Sequence, residues 1–257
     1  MKLQQLIQRT ERVDDIPLLL AQMRKTHLAK IIDEHFPRHG NWLGLSLGQV
    51  TSGWLSYILS EGDHCLNHVE TWADRLLITL SVGLEGDVKA LDFSDDRLSR
   101  VLDYLSPDES WTHFERCLNG NTLRVYNLKT ERVRIDTTTA KSYVHVSKNG
   151  LFQFGHSQDH RPDLPQLKIS QAALDPLGLP ITTTVVNGNC ADDPWYIPKI
   201  KRVPSHLKAS GLLHIGDSKI ASLETRAYVA SSGDHYLCPL SAIQIPPAVL
   251  EQLLEPV

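Results

Sequence analysis

The sequence has few cysteines and no long apolar run. Its four cysteines are scattered and form no CxxC pair. This argues against a disulfide framework or a cysteine-rich zinc site and favours reduced core thiols. No apolar run approaches the ~18–20 residues that a membrane-spanning helix needs, and the charged, amphipathic start lacks the apolar centre of a signal peptide. We therefore expect a soluble, cytoplasmic protein.

A basic excess is also lacking, since the net charge of the 257 residues is −4. Residues 1–130 hold 14 basic and 18 acidic side chains, and residues 131–257 hold 12 of each. Nucleic-acid binding would therefore depend on local clusters such as Lys199, Lys201 and Arg202. With 41% hydrophobic and 22% charged residues, the chain can build a proper core.

Several common catalytic motifs are missing as well. No glycine-rich turn follows the first predicted strand, which excludes a Rossmann fold, and no P-loop, GxSxG or HExxH sequence occurs. The first 122 residues instead show apolar residues at helical spacing. They predict helices over residues 16–36, 46–59, 68–82 and 95–105, with Ser46 as a cap. A fifth helix should open at Ser106-Pro107 and close at Asn119-Gly120-Asn121.

From residue 123 the pattern becomes strand-like. A short β-type run ends at Asp136, and residues 168–174 and 181–186 predict a hairpin around the turn-forming residues 175–180. A helix over residues 195–203, a strand over 212–215, a helix over 220–231 and a strand over 235–239 should follow. The expected fold class is mixed α+β, with a helical domain (residues 1–122) before an α/β domain (residues 123–257).

Two aspartates follow apolar strands, Asp136 after the first and Asp217 after the strand over residues 212–215. Acids at neighbouring strand ends can converge and bind hard divalent cations, which prefer oxygen ligands. Two such cations about 3.5–4 Å apart can activate water for attack on a phosphodiester. Spacing alone leaves the ordinary alternatives open, because aspartate often forms turns and Asp217 could cap the helix at residue 220.

Four motifs in a fixed order sharpen the interpretation. They are Ile135-Asp136-Thr137-Thr138, the run GHSQDHRPDLPQ at residues 155–166, Gly188-Asn189-Cys190-Ala191-Asp192 and Gly216-Asp217-Ser218-Lys219. Together they resemble the DDE transposases of bacterial insertion sequences, and most closely the group typified by insertion sequence four. The run at residues 155–166 is the most specific part, and the resemblance extends over residues 12–245.

The resemblance implies an RNase H-like catalytic core with Asp136 on its first strand and Asp217 on its fourth. Both would be catalytic and would bind Mg²⁺ or Mn²⁺ in a two-metal site. The implied reaction is hydrolysis of a DNA strand at the element end, followed by attack of the freed 3′-hydroxyl on target DNA. The implied partner is double-stranded DNA at the element ends, and the resemblance allows a homodimer or pairing with a full-length transposase.

The same resemblance suggests roles for further residues. Asn189 and Asp192 would support the site. Arg161, Lys168 and Lys219 would contact DNA, since an arginine fork fits phosphate oxygens. His156, Asp159 and His160 have a spacing that could bind zinc on a helix, but Gly155 and Pro162 predict a loop beside the active site or on the surface.

One departure from the family pattern changes the expected activity. The third acid of the family is a glutamate on a late helix, flanked by tyrosine, arginine and lysine. Glu224 follows Asp217 too closely to take that role, and Glu251 and Glu255 lack those neighbours. We therefore expect a C-terminally truncated core that is inactive or nearly so by itself, because two carboxylates do not complete a two-metal cage. The alternatives are a non-catalytic DNA-binding or dimerising remnant that regulates transposition, and a metal hydrolase unrelated to DNA.

Overall fold

The computed structural model describes residues 9–38, 40–155, 161–191, 195–239 and 245–254. The chain divides into two compact units, Met1–Asn127 and Leu128–Val257. Within the described ranges, no helix is long and apolar enough to cross a membrane.

The first unit is helical. Its elements are α1 (Ile16–Lys25), α2 (Leu28–His35), α3 (Leu47–Glu61), α4 (Leu66–Arg75), α5 (Leu77–Leu84), a short 3₁₀ helix (Ala90–Phe93), α6 (Asp95–Tyr104) and α7 (Asp108–Tyr126). Leu47, Val50, Phe93 and Leu98 are fully buried in its single core. The predicted capping of α3 is confirmed: Ser46 Oγ accepts from the Gln49 N–H at 3.1 Å, and Gln49 Oε1 accepts from the Ser46 N–H at 2.8 Å.

Two of the predicted helices are broken into pairs. The helix expected over residues 16–36 is interrupted at His27, which is left-handed with φ 60°. The helix expected over residues 68–82 is interrupted at Leu76, which is buried between α4 and α5. Both breaks keep apolar residues at helical spacing on either side, so the hydrophobic pattern alone does not reveal them.

The fifth predicted helix is longer than expected. Helix α7 begins at Asp108 with Pro107 as its N-cap, and Asn119-Gly120-Asn121 lies within it instead of closing it. The helix ends only at Tyr126, where Asn127 adopts a left-handed conformation with φ 48°. Asn119 is only 5% exposed, so packing outweighs its weak helix propensity. The predicted domain boundary between residues 122 and 123 therefore falls inside α7.

Gly48 allows α2 and α3 to pack closely, and its replacement is the first testable change. A Cβ at this position would lie 2.0 Å from the Ala29 carbonyl oxygen. We expect Gly48→Ala to lower the free energy of unfolding of the first unit by about 1–3 kcal/mol, because backbone cannot yield as a flexible side chain can. Chemical denaturation followed by tryptophan fluorescence measures this loss. Gly62→Ala is not a suitable control because Gly62 has φ 64°; Gly120→Ala, with nothing near the new Cβ, should not destabilise the unit. Equal effects of the two variants would contradict the packing argument.

The second unit is built on one mixed sheet. Its strands are β1 (Arg132–Lys141), β2 (Gln166–Leu174), β3 (Leu179–Asn187), β4 (Leu213–Gly216) and β5 (His235–Leu237), and its helices are α8 (Tyr196–Leu207), α9 (Leu223–Ser231) and α10 (Pro247–Leu254). The strand order is β3-β2-β1-β4-β5. Strand β2 is antiparallel to both β1 and β3, as the predicted hairpin requires, whereas β4 and β5 run parallel to β1. This arrangement confirms the expected mixed α+β class with an RNase H-like sheet.

Helix α8 covers one face of this sheet through a buried lysine. The Lys199 ammonium group is 2.7 Å from the Ser170 carbonyl oxygen and 3.2 Å from Thr184 Oγ1, and Lys199 is only 2% exposed. The basic cluster expected at residues 199–202 is therefore not a continuous surface patch, because Lys199 faces the sheet. Arg202 also donates to Thr184 Oγ1, at 3.3 Å, and Lys201 alone of the three is exposed.

The cysteines are free, but they do not lie in the core. Cys65 is exposed, whereas Cys117, Cys190 and Cys238 are half-buried. The expectation of core thiols is wrong in this respect. The exposed Cys65 is therefore accessible to solvent and to ligands.

Candidate active site

Asp136 lies in the middle of β1 and not at its end, as the sequence pattern had suggested. The strand continues to Lys141 because residues 137–141 pair with β2. Pairing with the parallel strand β4, however, ends at Ile135, which lies opposite Gly216. Val133 and Ile135 point into the core, so the alternation of the strand places Asp136 on the opposite, exposed face. Asp136 thus comes directly after the last residue of β1 that pairs with β4.

Asp217 is the first residue after β4. Since Ile135 is aligned with Gly216, the two aspartates follow the last aligned pair on adjacent parallel strands. Neighbouring strands lie about 4.8 Å apart. The sheet therefore brings Asp136 and Asp217 next to each other, and both are exposed.

Asp217 does not cap the helix that follows. Helix α9 begins at Leu223, later than predicted, and its cap is Ser222, whose hydroxyl accepts from the Thr225 N–H at 3.2 Å. Asp217 instead organises the turn before that helix: its Oδ1 accepts from the Lys219 N–H at 3.0 Å. The helix-cap alternative for Asp217 is thereby wrong.

A buried tyrosine holds the Asp217 carboxylate. The Tyr196 hydroxyl donates to Asp217 Oδ1 at 3.1 Å, and Tyr196 is only 3% exposed at the start of α8. Sequence reasoning missed this residue, because the contact joins positions 21 apart and depends on how α8 packs. The position of Asp217 is therefore coupled to that of α8.

The hydrogen bonds leave one oxygen of each carboxylate available. Asp136 Oδ1 accepts from the Thr137 N–H at 2.7 Å, and Asp217 Oδ1 accepts from Tyr196 and Lys219. Among the described residues, these hydrogen bonds reach only Oδ1 of each aspartate. Two adjacent, exposed carboxylates offer the hard oxygen donors that Mg²⁺ and Mn²⁺ prefer, so this donor set fits such a cation.

The two glycine-containing motifs lie against each other beside the sheet. A Cβ on Gly155 would lie 2.2 Å from the Gly188 carbonyl oxygen, and a Cβ on Gly188 would lie 1.9 Å from the Gln166 carbonyl oxygen. Glycine is required at both positions because three backbone segments meet there. Asn189, exposed in the turn after β3, is carried by this junction. The remaining motif residues Asp192, His156, Asp159 and His160 lie outside the described residues.

The three residues expected to contact DNA are placed differently from one another. Lys168 is only 7% exposed, and its ammonium group is 2.5 Å from the Cys190 carbonyl oxygen, a placement that does not favour a phosphate contact. The Arg161 fork binds Asp163 with two contacts of 2.8 Å. That ion pair, with a hydrogen bond to Tyr143, raises the pKa of Arg161, and the arginine lowers the pKa of Asp163. Lys219 is half-buried in the turn after Asp217.

A buried histidine–aspartate pair links β4 to the residue that precedes β5. His214 Nε2 is 3.1 Å from Asp234 Oδ2, and Asp234 Oδ1 accepts from the Leu212 N–H at 2.9 Å. His214 is fully buried and Asp234 is 7% exposed. His214 is thus a packed histidine, whereas His145 lies exposed outside any strand.

The fold and the paired aspartates define a class: a mixed α+β protein with an RNase H-like sheet and two neighbouring aspartates, one on β1 and one directly after β4. Residues 8–116 match a family described as a domain of unknown function, DUF4277. None of the curated proteins matches the sequence of the chain.

Solved structures similar to the chain are complexes of transposases. One is the piggyBac transposase synaptic complex with hairpin DNA, at 11% identity and a TM-score of 0.44, with 98% of this chain and 57% of that chain covered. This chain thus spans little more than half of the piggyBac chain. Another is the Mos1 transposase paired-end complex with the left transposon end, at 9% identity and a TM-score of 0.30, covering 89% and 78%. A third is the mariner Mos1 paired-end complex with Mg, at 10% identity and a TM-score of 0.27, covering 91% and 79%.

Proposed function

We propose that this chain is a transposase-like protein that binds duplex DNA and uses Asp136 and Asp217 to hold a divalent cation against a DNA phosphate. The observation that carries the proposal is the register of β1 and β4, which sets the two aspartates of the transposase-like motifs side by side. The resemblance of four ordered motifs to insertion-sequence transposases supplies the substrate class. An aspartate that served only to form a turn at the end of a strand would not need to be aligned with a second aspartate.

Three residues would have distinct roles in this function. Asp136 and Asp217 would hold Mg²⁺ or Mn²⁺, which when bound activates water and offsets charge on the phosphodiester. Tyr196 would orient Asp217, because a partner that fixes a ligating carboxylate also fixes the cation. In the parent reaction the oxygen of water bonds to phosphorus while the bond to the 3′-oxygen breaks. The released 3′-hydroxyl oxygen then bonds to a phosphorus of the target DNA, while the bond from that phosphorus to its own 3′-oxygen breaks and leaves a 3′-hydroxyl on the target strand.

A second candidate function follows from the number of acids at the site. Among the described residues, no third histidine, cysteine or acidic side chain joins Asp136 and Asp217 at metal-binding distance. An incomplete cage binds Mg²⁺ weakly, because this cation loses its water reluctantly. We therefore propose that the chain alone binds DNA ends and cuts them poorly or not at all, acting as a partner or competitor of a complete transposase.

The test uses a duplex made from the terminal inverted repeats that flank the gene. In mobility-shift assays we expect binding that weakens as salt rises, since phosphate contacts release counterions. On denaturing gels with Mg²⁺ or Mn²⁺ we expect at most trace nicking, and any nicking should disappear in Asp136→Asn while binding remains. Vigorous cutting by the wild-type chain would refute the second candidate, and cutting that survives Asp136→Asn would refute the site. Failure to shift the duplex would refute both candidates.

A further inference from the structure

The loop between α3 and α4 gathers three different metal-ligating side chains. Asp63 follows Gly62, which ends α3 with φ 64°, and Cys65 is the N-cap of α4. His68 lies in the first turn of that helix. A carboxylate oxygen, the cysteine sulfur and a histidine ring nitrogen all lie within 4.8 Å of one another. Within the described ranges, no other three histidine, cysteine or acidic side chains come this close together.

The local chain geometry produces this gathering. The Cys65 N–H donates to Asp63 Oδ1 at 2.9 Å, which folds the loop back on itself. The His68 N–H bonds to the Cys65 carbonyl oxygen at 3.2 Å, so one turn separates these residues and their side chains share a side. Because of these two hydrogen bonds, the three side chains of the sequence Asp-x-Cys-x-x-His lie close together. Sequence reasoning missed this group.

A tyrosine from the core fixes the carboxylate of the group. The Tyr57 hydroxyl donates to Asp63 Oδ2, and His68 Nδ1 lies 2.8 Å from the same oxygen. Tyr57 is only 3% exposed, and its ring packs edge-on against Trp72 with centroids 5.2 Å apart. In metal sites such an outer hydrogen bond orients the ligand and raises affinity. Asp63 is therefore held from the core side while Cys65 and His68 face outward.

We propose that Asp63, Cys65 and His68 form a site for Zn²⁺ or a similar borderline transition-metal ion. A thiolate, an imidazole and a carboxylate are zinc ligands, whereas Mg²⁺ avoids sulfur and nitrogen. Tetrahedral zinc with ordinary bond lengths places its ligand atoms about 3.4–3.6 Å apart. The group is already within 4.8 Å, and the Asp63–His68 contact of 2.8 Å would need to open by less than an ångström, by this estimate.

Metal binding at this group is accompanied by release of a proton. The thiol of Cys65 releases its proton to solvent as the sulfur bonds to the metal, and the imidazole of His68 binds through a neutral nitrogen. Asp63 and His68 also line a cleft of about 400 Å³, which would give a fourth ligand access to the ion. A water molecule can be this ligand. This ion would tie α3 to α4, and the proposal does not depend on the function proposed for Asp136 and Asp217.

The experiment titrates the chelator-treated full chain with Co²⁺ as a visible substitute for Zn²⁺. We expect a near-ultraviolet thiolate-to-cobalt charge-transfer band that saturates at one Co²⁺ per chain, and loss of the band when Zn²⁺ is added. Cys65→Ser should abolish the band and weaken Zn²⁺ binding more than about 100-fold. Serine is a good N-cap, so α4 should persist in this variant.

Two further variants make the result specific. Cys117→Ser is the matched control, because its half-buried sulfur lies 3.2 Å from a different histidine, His35, and this variant should keep the band. Tyr57→Phe should keep the band but weaken Zn²⁺ binding about 10–100-fold, the usual effect of losing an outer hydrogen bond. A folded wild-type chain that binds no Co²⁺ would overturn the proposal and leave the loop as a simple capped connection. A band that survives Cys65→Ser would overturn it equally.

Discussion

Asp136→Asn is expected to weaken metal binding at Asp136 and Asp217 by about 100-fold or more. Asparagine keeps the size of the side chain but removes one of the two charges that hold the cation. Because Asp136 is exposed and bonds only to the neighbouring Thr137 N–H among described residues, the sheet should tolerate the change. The effect should therefore appear in metal binding and not in folding.

Iron-directed cleavage of the polypeptide measures this binding without any DNA reaction. Fe²⁺ replaces Mg²⁺ at oxygen-rich sites, and with ascorbate and peroxide it cuts the backbone nearby. In a Cys65→Ser background, which removes the competing thiol, we expect cuts close to residues 136 and 217. Asp136→Asn should eliminate both sets of cuts, and Tyr196→Phe should keep them while raising the half-maximal Fe²⁺ concentration by about 10-fold.

The matched control is Asp163→Asn, since Asp163 is an exposed aspartate of the same unit that pairs with Arg161. Its cleavage pattern should equal that of the parent chain. Identical patterns in Asp136→Asn and the parent would remove Asp136 from the metal site. Cuts near residue 136 without cuts near residue 217 would show that the two aspartates do not share a cation.

The second large effect concerns stability. We expect Asp234→Ala to destabilise the second unit by about 3–5 kcal/mol, because it removes one partner of a buried pair and leaves the Leu212 N–H unsatisfied. Hydrogen exchange of the β4 amides reports this locally, and exchange should quicken by about 10²–10⁴-fold. Glu224→Ala, at an exposed position on α9, should change exchange only slightly.

A small effect of Asp234→Ala, similar to that of Glu224→Ala, would mean that the His214–Asp234 contact contributes little to β4. Hydrogen exchange of the β4 and α9 amides in the unmutated chain supplies the baseline for this comparison. The pair is otherwise expected to matter for the site indirectly, because β4 carries Asp217 at its end.

Much of the fold could be predicted from the sequence, for identifiable reasons. The β-rich residues 181–186 and the turn before them predicted the hairpin, since β propensity and turn chemistry act locally. Ser46 predicted the start of α3 for the same reason. The breaks at His27 and Leu76 could not be predicted, because they depend on how neighbouring helices pack and leave the apolar pattern unchanged.

The candidate site was predictable only in part. The motifs identified Asp136 and Asp217, but the extent of β1 beyond Asp136 depends on its pairing with β2, which no local pattern encodes. The burial of Lys168 and Lys199 was also invisible, because a lysine in a strand or helix is ordinarily a surface residue. The contact of Tyr196 with Asp217 required the packed position of α8.

The mismatch in length between β1 and β4 has a mechanical consequence. Asp136 belongs to a strand that is paired with β2 both before and after it, so its backbone is braced on both sides along the chain. Asp217 has left its strand and is steadied by a turn and one hydroxyl group from α8. Small displacements of α8 should therefore move one ligand and leave the other stationary. A shift of α8 would therefore change the distance between the two carboxylates by moving Asp217 while Asp136 stays in place.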